Sequence, residues 1–309
     1  MTGRSRKKGR PINGWLVLDK PAGVTSTYAV GAVRRAFDAR KAGHAGTLDP
    51  AATGVLPIAF GEATKTVPYA VDGDKCYRFT VRWGAETDTD DAEGRIISSS
   101  EVRCQPAAIA ALIDEFTGEI LQTPPVYSAV KVAGQRAYDL ARDGQAVELE
   151  PRRVEVHALQ LLSANVDSAE FEARCGKGTY VRALARDMGR RLGCLGHLIA
   201  LRRMRVAGFE ERQAVPLARV ADAAAAGEAA LLALLLPIEA ALSDFAVLDV
   251  GQADAARLLN GQPILIRGRD APHRPGPTYA RCKGNLVALG EIERGELYPI
   301  RVFNWRDGG

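Results

Sequence analysis

From Tyr77 to Trp83 the residues alternate with a period of two: Tyr77, Phe79, Val81 and Trp83 on one side, Arg78, Thr80 and Arg82 on the other. Successive side chains of a strand point to opposite faces, so this pattern is the signature of a strand buried on one face only. The rest of the chain must then supply neighbours for this strand and a layer to cover its apolar side. Further strands are expected at residues 15–19, 95–97, 154–162 and 169–175. Helical spacing is expected after Thr25 or Ser26, burying Val30, Val33 and Phe37. A second helix is expected from Pro106 to a stop at Gly118, and a third over residues 180–192 with Gly193 ending it. Strands and helices do not alternate regularly. The expectation is therefore an α+β fold: a mixed, largely antiparallel sheet with flanking helices.

Three shifts in composition suggest boundaries. Arg4, Arg6, Lys7, Lys8 and Arg10 mark residues 1–12 as a basic disordered tail. Residues 122–131 are irregular and proline-rich, and the polar stretch 134–150 reads as an extension with one short helix, giving an insertion over about 122–150 in a body that spans 13–244. An Ala/Leu-rich helical segment after Pro216 leads to Leu242, and a new unit over 245–309 follows. It has one helix at 252–260 and β-like runs at 264–266, 278–282, 286–293 and 297–303, with turns at Lys283-Gly284-Asn285 and Arg294-Gly295. A net charge of +4 permits an anionic partner without requiring one. The five cysteines are widely spaced, with no C-x-x-C pair, so reduced thiols are expected rather than a disulfide framework or a metal site. The apolar run at 229–236 is too short for a membrane span, and a cytoplasmic location is expected.

The chemistry concentrates in Gly43-His44-Ala45-Gly46-Thr47-Leu48-Asp49-Pro50-Ala51-Ala52-Thr53-Gly54-Val55-Leu56. Glycines allow the backbone to approach a flat ligand closely, and Pro50 biases Asp49 away from helix. Local chemistry leaves open a turn in which Asp49 only caps backbone donors. The whole run resembles the catalytic-aspartate motif of the TruB family, the bacterial tRNA pseudouridine synthases. Other segments resemble the same family in the same order: Leu18-Asp19-Lys20-Pro21-Ala22-Gly23, Lys75-Cys76-Tyr77-Arg78, Gly176-Lys177-Gly178-Thr179-Tyr180-Val181-Arg182, and Leu201-Arg202-Arg203. The C-terminal unit resembles the PUA domain, a small β-rich RNA-binding module.

That resemblance implies a pseudouridine-synthase sheet followed by a PUA-like domain. It implies Asp49 as the catalytic carboxylate, Tyr77 against the target base, and Arg182 as the partner of Asp49. Asp91 would be a second carboxylate around Arg182, with Asp88 and Asp90 as close rivals, while Arg186 and Arg190 read as surface arginines. His44, Lys20, Tyr180 and Leu201 would contact substrate or brace the loop that does. The implied reaction turns the uridine at position 55, in the T-loop of tRNA, into pseudouridine after the base is flipped out. It needs no cofactor, because no redox or group transfer occurs. The T-arm of tRNA is the implied partner; a monomer without a protein partner is expected. Arg267, Arg269, Arg274 and Arg281 could add phosphate contacts. Three rivals stay open: a glycoside hydrolase, which needs two carboxylates flanking the bond; a non-catalytic RNA-binding protein; and an RNA-guided synthase.

Overall fold

The computed structural model describes residues 9–132, 134–145, 147–266 and 276–304, and ten of its strands form one sheet. Eight lie side by side in the order Val215–Pro216, Gly14–Lys20, Thr53–Phe60, Gly196–Val206, Lys75–Trp83, Ser168–Cys175, Arg152–Ala164 and Gly118–Gln122. Two contacts in this row are parallel, at the Val215–Pro216 edge and between Gly196–Val206 and Thr53–Phe60; the others are antiparallel. The sheet thus has two halves, and among the described residues the strand pairs that join them are Arg202↔Thr53 and Arg203↔Gly54. At that joint a Cβ on Gly54 would stand 2.3 Å from the carbonyl oxygen of Arg203, and Gly54 has φ +100°, so only glycine fits.

The alternation at Tyr77–Trp83 works as expected. Phe79, Val81 and Trp83 are buried with Phe171 and with Leu184, Ala185 and Met188 of the helix Val181–Arg191. The strand Gly14–Lys20 is buried on both faces. Leu16 and Leu18 meet the helices Ser26–Ala36 and Leu217–Ala226, whereas Trp15 and Val17 face Phe209, Tyr279, Leu286, Leu289 and Phe303. Tyr279, Leu286 and Leu289 belong to a five-stranded C-terminal sheet, and Phe303 follows its strand Glu296–Val302; the order is Ala246–Asp249, Pro277–Cys282, Asn285–Glu293, Glu296–Val302 and Ile264–Leu265, with the helix Gln252–Leu259 against it. Its two tight hairpins have left-handed residue pairs at Lys283-Gly284 and Arg294-Gly295, the backbone a type I′ turn requires. This unit shares a core with the body, and Lys65 Nζ and the Glu62 carboxylate clasp Val302 O and Asn304 N, each at 2.8 Å.

Several expectations need correction. The strand expected at 95–97 lies at Ile96–Ser99; it is wholly exposed and pairs only with Ala85–Thr87 as a separate hairpin. Gly196–Val206, at the centre of the main sheet, is an eleven-residue strand where none was expected. The last residues of the supposed tail pack onto the body: Arg10 N donates to Asp38 O at 2.6 Å, and Ile12 is buried. Residues 1–8, Arg267, Arg269 and Arg274 lie outside the described residues. Cys104 and Cys194 form a disulfide across 90 residues, overturning the expectation of uniformly reduced thiols; only the tertiary fold brings them together. The Ala/Leu-rich segment is two short helices separated by Gly227 at φ +111°.

Candidate active site

The Asp49 loop leaves the strand Ala42–His44 and returns into Thr53–Phe60, with which that strand pairs. Its backbone is fixed from three directions. Ser26 Oγ donates to Leu48 O and accepts from Leu48 N, both at 2.9 Å. Lys20 Nζ donates to Pro21 O, Val24 O and Pro50 O at 2.9, 2.8 and 3.0 Å. Arg203, from below, donates through Nε to Val55 O at 2.8 Å and through Nη1 and Nη2 to Thr47 O and Gly46 O at 3.3 and 3.0 Å. Lys20 is fully buried and spends its three protons on these carbonyls. It therefore braces the loop, the second of the two roles the resemblance implied for it.

The loop backbone is held while the Asp49 carboxylate stays 39% exposed to a cleft. There Arg182, 8% exposed, meets it with two prongs: Nε to Oδ2 at 3.0 Å and Nη2 to Oδ1 at 3.5 Å. The guanidinium is anchored on its far side by Thr89 O and Tyr127 O, both at 3.0 Å. Asp91 Oδ2 lies 3.7 Å from Arg182 Nη1, and its Oδ1 accepts from Thr89 Oγ1 at 2.6 Å. Of the three rival carboxylates, Asp91 is the one beside Arg182. Asp90 instead binds Arg186 Nη1 at 2.9 Å, and Asp88 accepts from Arg95 N at 2.8 Å.

Arg186 is not the surface residue the sequence suggested. It is buried, also holds Thr123 O at 2.8 Å, and pairs with Asp187. Arg190 is half exposed and grips Glu86 with two bonds of 2.7 and 2.8 Å. Arginines four residues apart share one face of a helix, and here that face is zipped to residues 86–91. Burial pushes the Asp90 carboxyl up to about 6, against the pull of Arg186, Arg182 and Arg190.

The cleft, about 920 Å³, is also lined by Tyr77, His44, Tyr180 and Leu201. Tyr77 is only partly buried, yet desolvation still raises the pKa of its phenol; the nearby Arg203 guanidinium pulls it back down. Burial, followed by the charge of Arg203, depresses the pKa of His44, so the ring facing the cleft is neutral at pH 7. Tyr180 precedes the helix Val181–Arg191, and its backbone is gripped at both ends by the Gln122 amide: N to Oε1 at 2.8 Å, O to Nε2 at 3.1 Å. Gln122 and Arg203 were the supports sequence reasoning missed, although Arg203 lies in a matched segment and Gln122 opens the expected insertion. Only their burial, at 2% exposure each, separates them from ordinary polar residues.

Residues 34–181 match the family described as TruB family pseudouridylate synthase (N terminal domain), and residues 182–243 match the tRNA pseudouridylate synthase B C-terminal domain. The chain belongs to the TruB family. Relatives named tRNA pseudouridine synthase B are 58% identical in Rhodopseudomonas palustris, over 98% of this chain and 84% of the relative, and 54% identical in Agrobacterium fabrum, over 96% of each. Among solved structures, the archaeal box H/ACA sRNP Nop10-Cbf5 complex superposes with a TM-score of 0.71 at 25% identity, over 94% of this chain and 85% of that one. A chain of the H/ACA RNP bound to a substrate RNA containing 2′-deoxyuridine has the same fold, with a TM-score of 0.74 at 23% identity, over 99% and 92%. This TruB-family chain has a large mixed sheet and a β-rich C-terminal unit, as the α+β reading required. Among the described residues no helix is long and apolar enough to cross a membrane.

Proposed function

We infer that the chain isomerises the uridine at position 55 of tRNA to pseudouridine, with Asp49 as the catalytic carboxylate. In this isomerisation the bond from the sugar C1′ to uracil N1 breaks and a bond from C1′ to C5 forms. The proton on C5 leaves and N1 ends protonated, so no atom is gained or lost. The observation that carries the reading is one carboxylate on a clamped loop, paired in two prongs with a buried arginine, at the wall of an aromatic cleft. The pair aims the Asp49 carboxylate into the cleft. Tyr77 offers a stacking face and a hydroxyl, and the neutral His44 ring can fill the space a flipped base vacates.

The T-arm is the proposed ligand, held through the insertion around residues 122–150 and basic side chains near the cleft. The C-terminal unit would act as a PUA-like RNA contact that takes no part in the chemistry. The enzyme is proposed to act in the cytoplasm as a monomer without a protein partner. The test is to incubate unmodified tRNA with wild type and Asp49→Asn and map pseudouridine at nucleotide resolution. Wild type should modify position 55 alone, and the Asn variant should bind tRNA within about several-fold of wild type without turnover. Turnover by Asp49→Asn, or release of free uracil by wild type, would refute the assignment.

A further inference from the structure

Arg203 has no role in the reading above beyond its loop contacts, yet its environment is unusual. It is 2% exposed and has no carboxylate partner among the described residues. A buried cation without an anion is costly unless its donors are satisfied and something nearby gains from its field. Three of its five N–H groups go to the carbonyls of Val55, Thr47 and Gly46. Two remain. Directly opposite in the antiparallel register stands Tyr77, so both side chains leave the sheet on the same face. On its other flank Arg203 pairs with Gly54, which has no side chain to intervene. As direct cross-strand neighbours the two side chains stand side by side, close enough for the charge of the guanidinium to act on the phenol.

A cation beside a phenol favours negative charge on the phenol oxygen. The same guanidinium ties down Gly46 and Thr47, just before Asp49. We propose that Arg203 is the positioning residue that couples Tyr77 to the Asp49 loop and stabilises negative charge that develops on the phenol oxygen. This rests on Tyr77 acting in the reaction.

The test is a double-mutant cycle in single-turnover rate on saturating tRNA, using Tyr77→Phe, Arg203→Lys and the pair. Tyr77→Phe should slow the rate about 100-fold, and Arg203→Lys about 10-fold or more, with tRNA affinity within about 3-fold of wild type. In the Tyr77→Phe background, Arg203→Lys should cost less than about 3-fold, because its effect passes through the phenol. Equal slowing in both backgrounds would overturn the inference and leave Arg203 a structural brace. A wild-type rate for Tyr77→Phe would instead overturn the role of Tyr77, and this inference with it. If Arg203→Lys does not fold, nuclear magnetic resonance of ¹⁵N-arginine-labelled wild type and Tyr77→Phe, which both keep Arg203, decides the matter. A guanidinium signal protected from exchange should shift when the phenol oxygen is removed; an unchanged spectrum overturns the contact.

Discussion

The helix Val181–Arg191 and the C-terminal sheet both carry arginine–carboxylate pairs, in opposite surroundings. Arg182 and Arg186 have side chains 8% exposed, and their remaining donors are taken up by carbonyls of Thr89, Tyr127 and Thr123. Arg281 meets Asp249 in two bonds of 2.6 and 3.1 Å, with side chains 43% and 68% exposed. Geometry alone does not separate them. A pair in water is screened and contributes little. A buried pair must satisfy every donor, so it fixes whatever it touches. In this molecule buried charge marks the machinery, and exposed charge marks the wrapping.

The largest expected effect is at Arg182. Lysine keeps the charge but cannot reproduce the fork and the carbonyl contacts, so Arg182→Lys should slow single-turnover conversion about 100-fold or more. A variant that lost only tRNA affinity would reassign Arg182 to a phosphate and break the contrast.

Next comes the apolar joint between the C-terminal sheet and the body. Phe303 is fully buried there with Trp15 and Phe209. Phe303→Ala should cost about 3–5 kcal/mol of unfolding free energy, measured with denaturant, while the rate on an isolated T-arm stays near wild type. A lowered rate in the folded variant would show that the C-terminal unit shapes the cleft.

A smaller effect concerns pH. The Asp90 carboxyl is pushed up to about 6, above its value in the unfolded chain, because burial disfavours its charge. The stability tied to its protonated form is therefore present at low pH and is lost as pH rises through about 6. Going from pH 5 to 7, the melting temperature of wild type should fall relative to that of Asp90→Asn. Parallel pH curves would show that Arg186 fully compensates the buried charge. The smallest effect is expected at the surface: Asp249→Asn should leave melting temperature and rate unchanged. A drop of several degrees there would erase the distinction between buried and exposed pairs.

The sequence disclosed what short-range physics decides. Thr25 Oγ1 accepts from Tyr28 N at 3.1 Å, capping the helix where a cap was expected. The two C-terminal hairpins turn on Lys283-Gly284 and Arg294-Gly295 because those pairs accept left-handed backbone. Asp49 and Arg182 were legible through motif order, though their meeting across 133 residues needed the fold, and only the fold separates Asp91 from Asp88 and Asp90. The strand Gly196–Val206 was hidden because Arg202, Arg203 and Arg205 interrupt its apolar alternation. Arg203 is tolerated inside a sheet only because a loop turns its carbonyls towards it. Arg186 and Arg190 look alike on a helical wheel, and what separates them is the carbonyl of Thr123, 63 residues away.

The two-pair joint at Arg202↔Thr53 and Arg203↔Gly54 has a consequence for biosynthesis. As the chain emerges from the ribosome, one half-sheet can form from residues 14–60, and the other can gather around residues 75–175 as they follow. The strand that stitches them is made after both, and it also brings the guanidinium that completes the bracing of the Asp49 loop. Late closure of such a long-range contact carries a high entropic cost and leaves two unfinished sheet edges exposed in the meantime. A nascent chain ending before about residue 203 would therefore hold Asp49 on a loop braced by Ser26 and Lys20 but lacking the third brace, Arg203. Competence for the chemistry arrives as a single late event in translation.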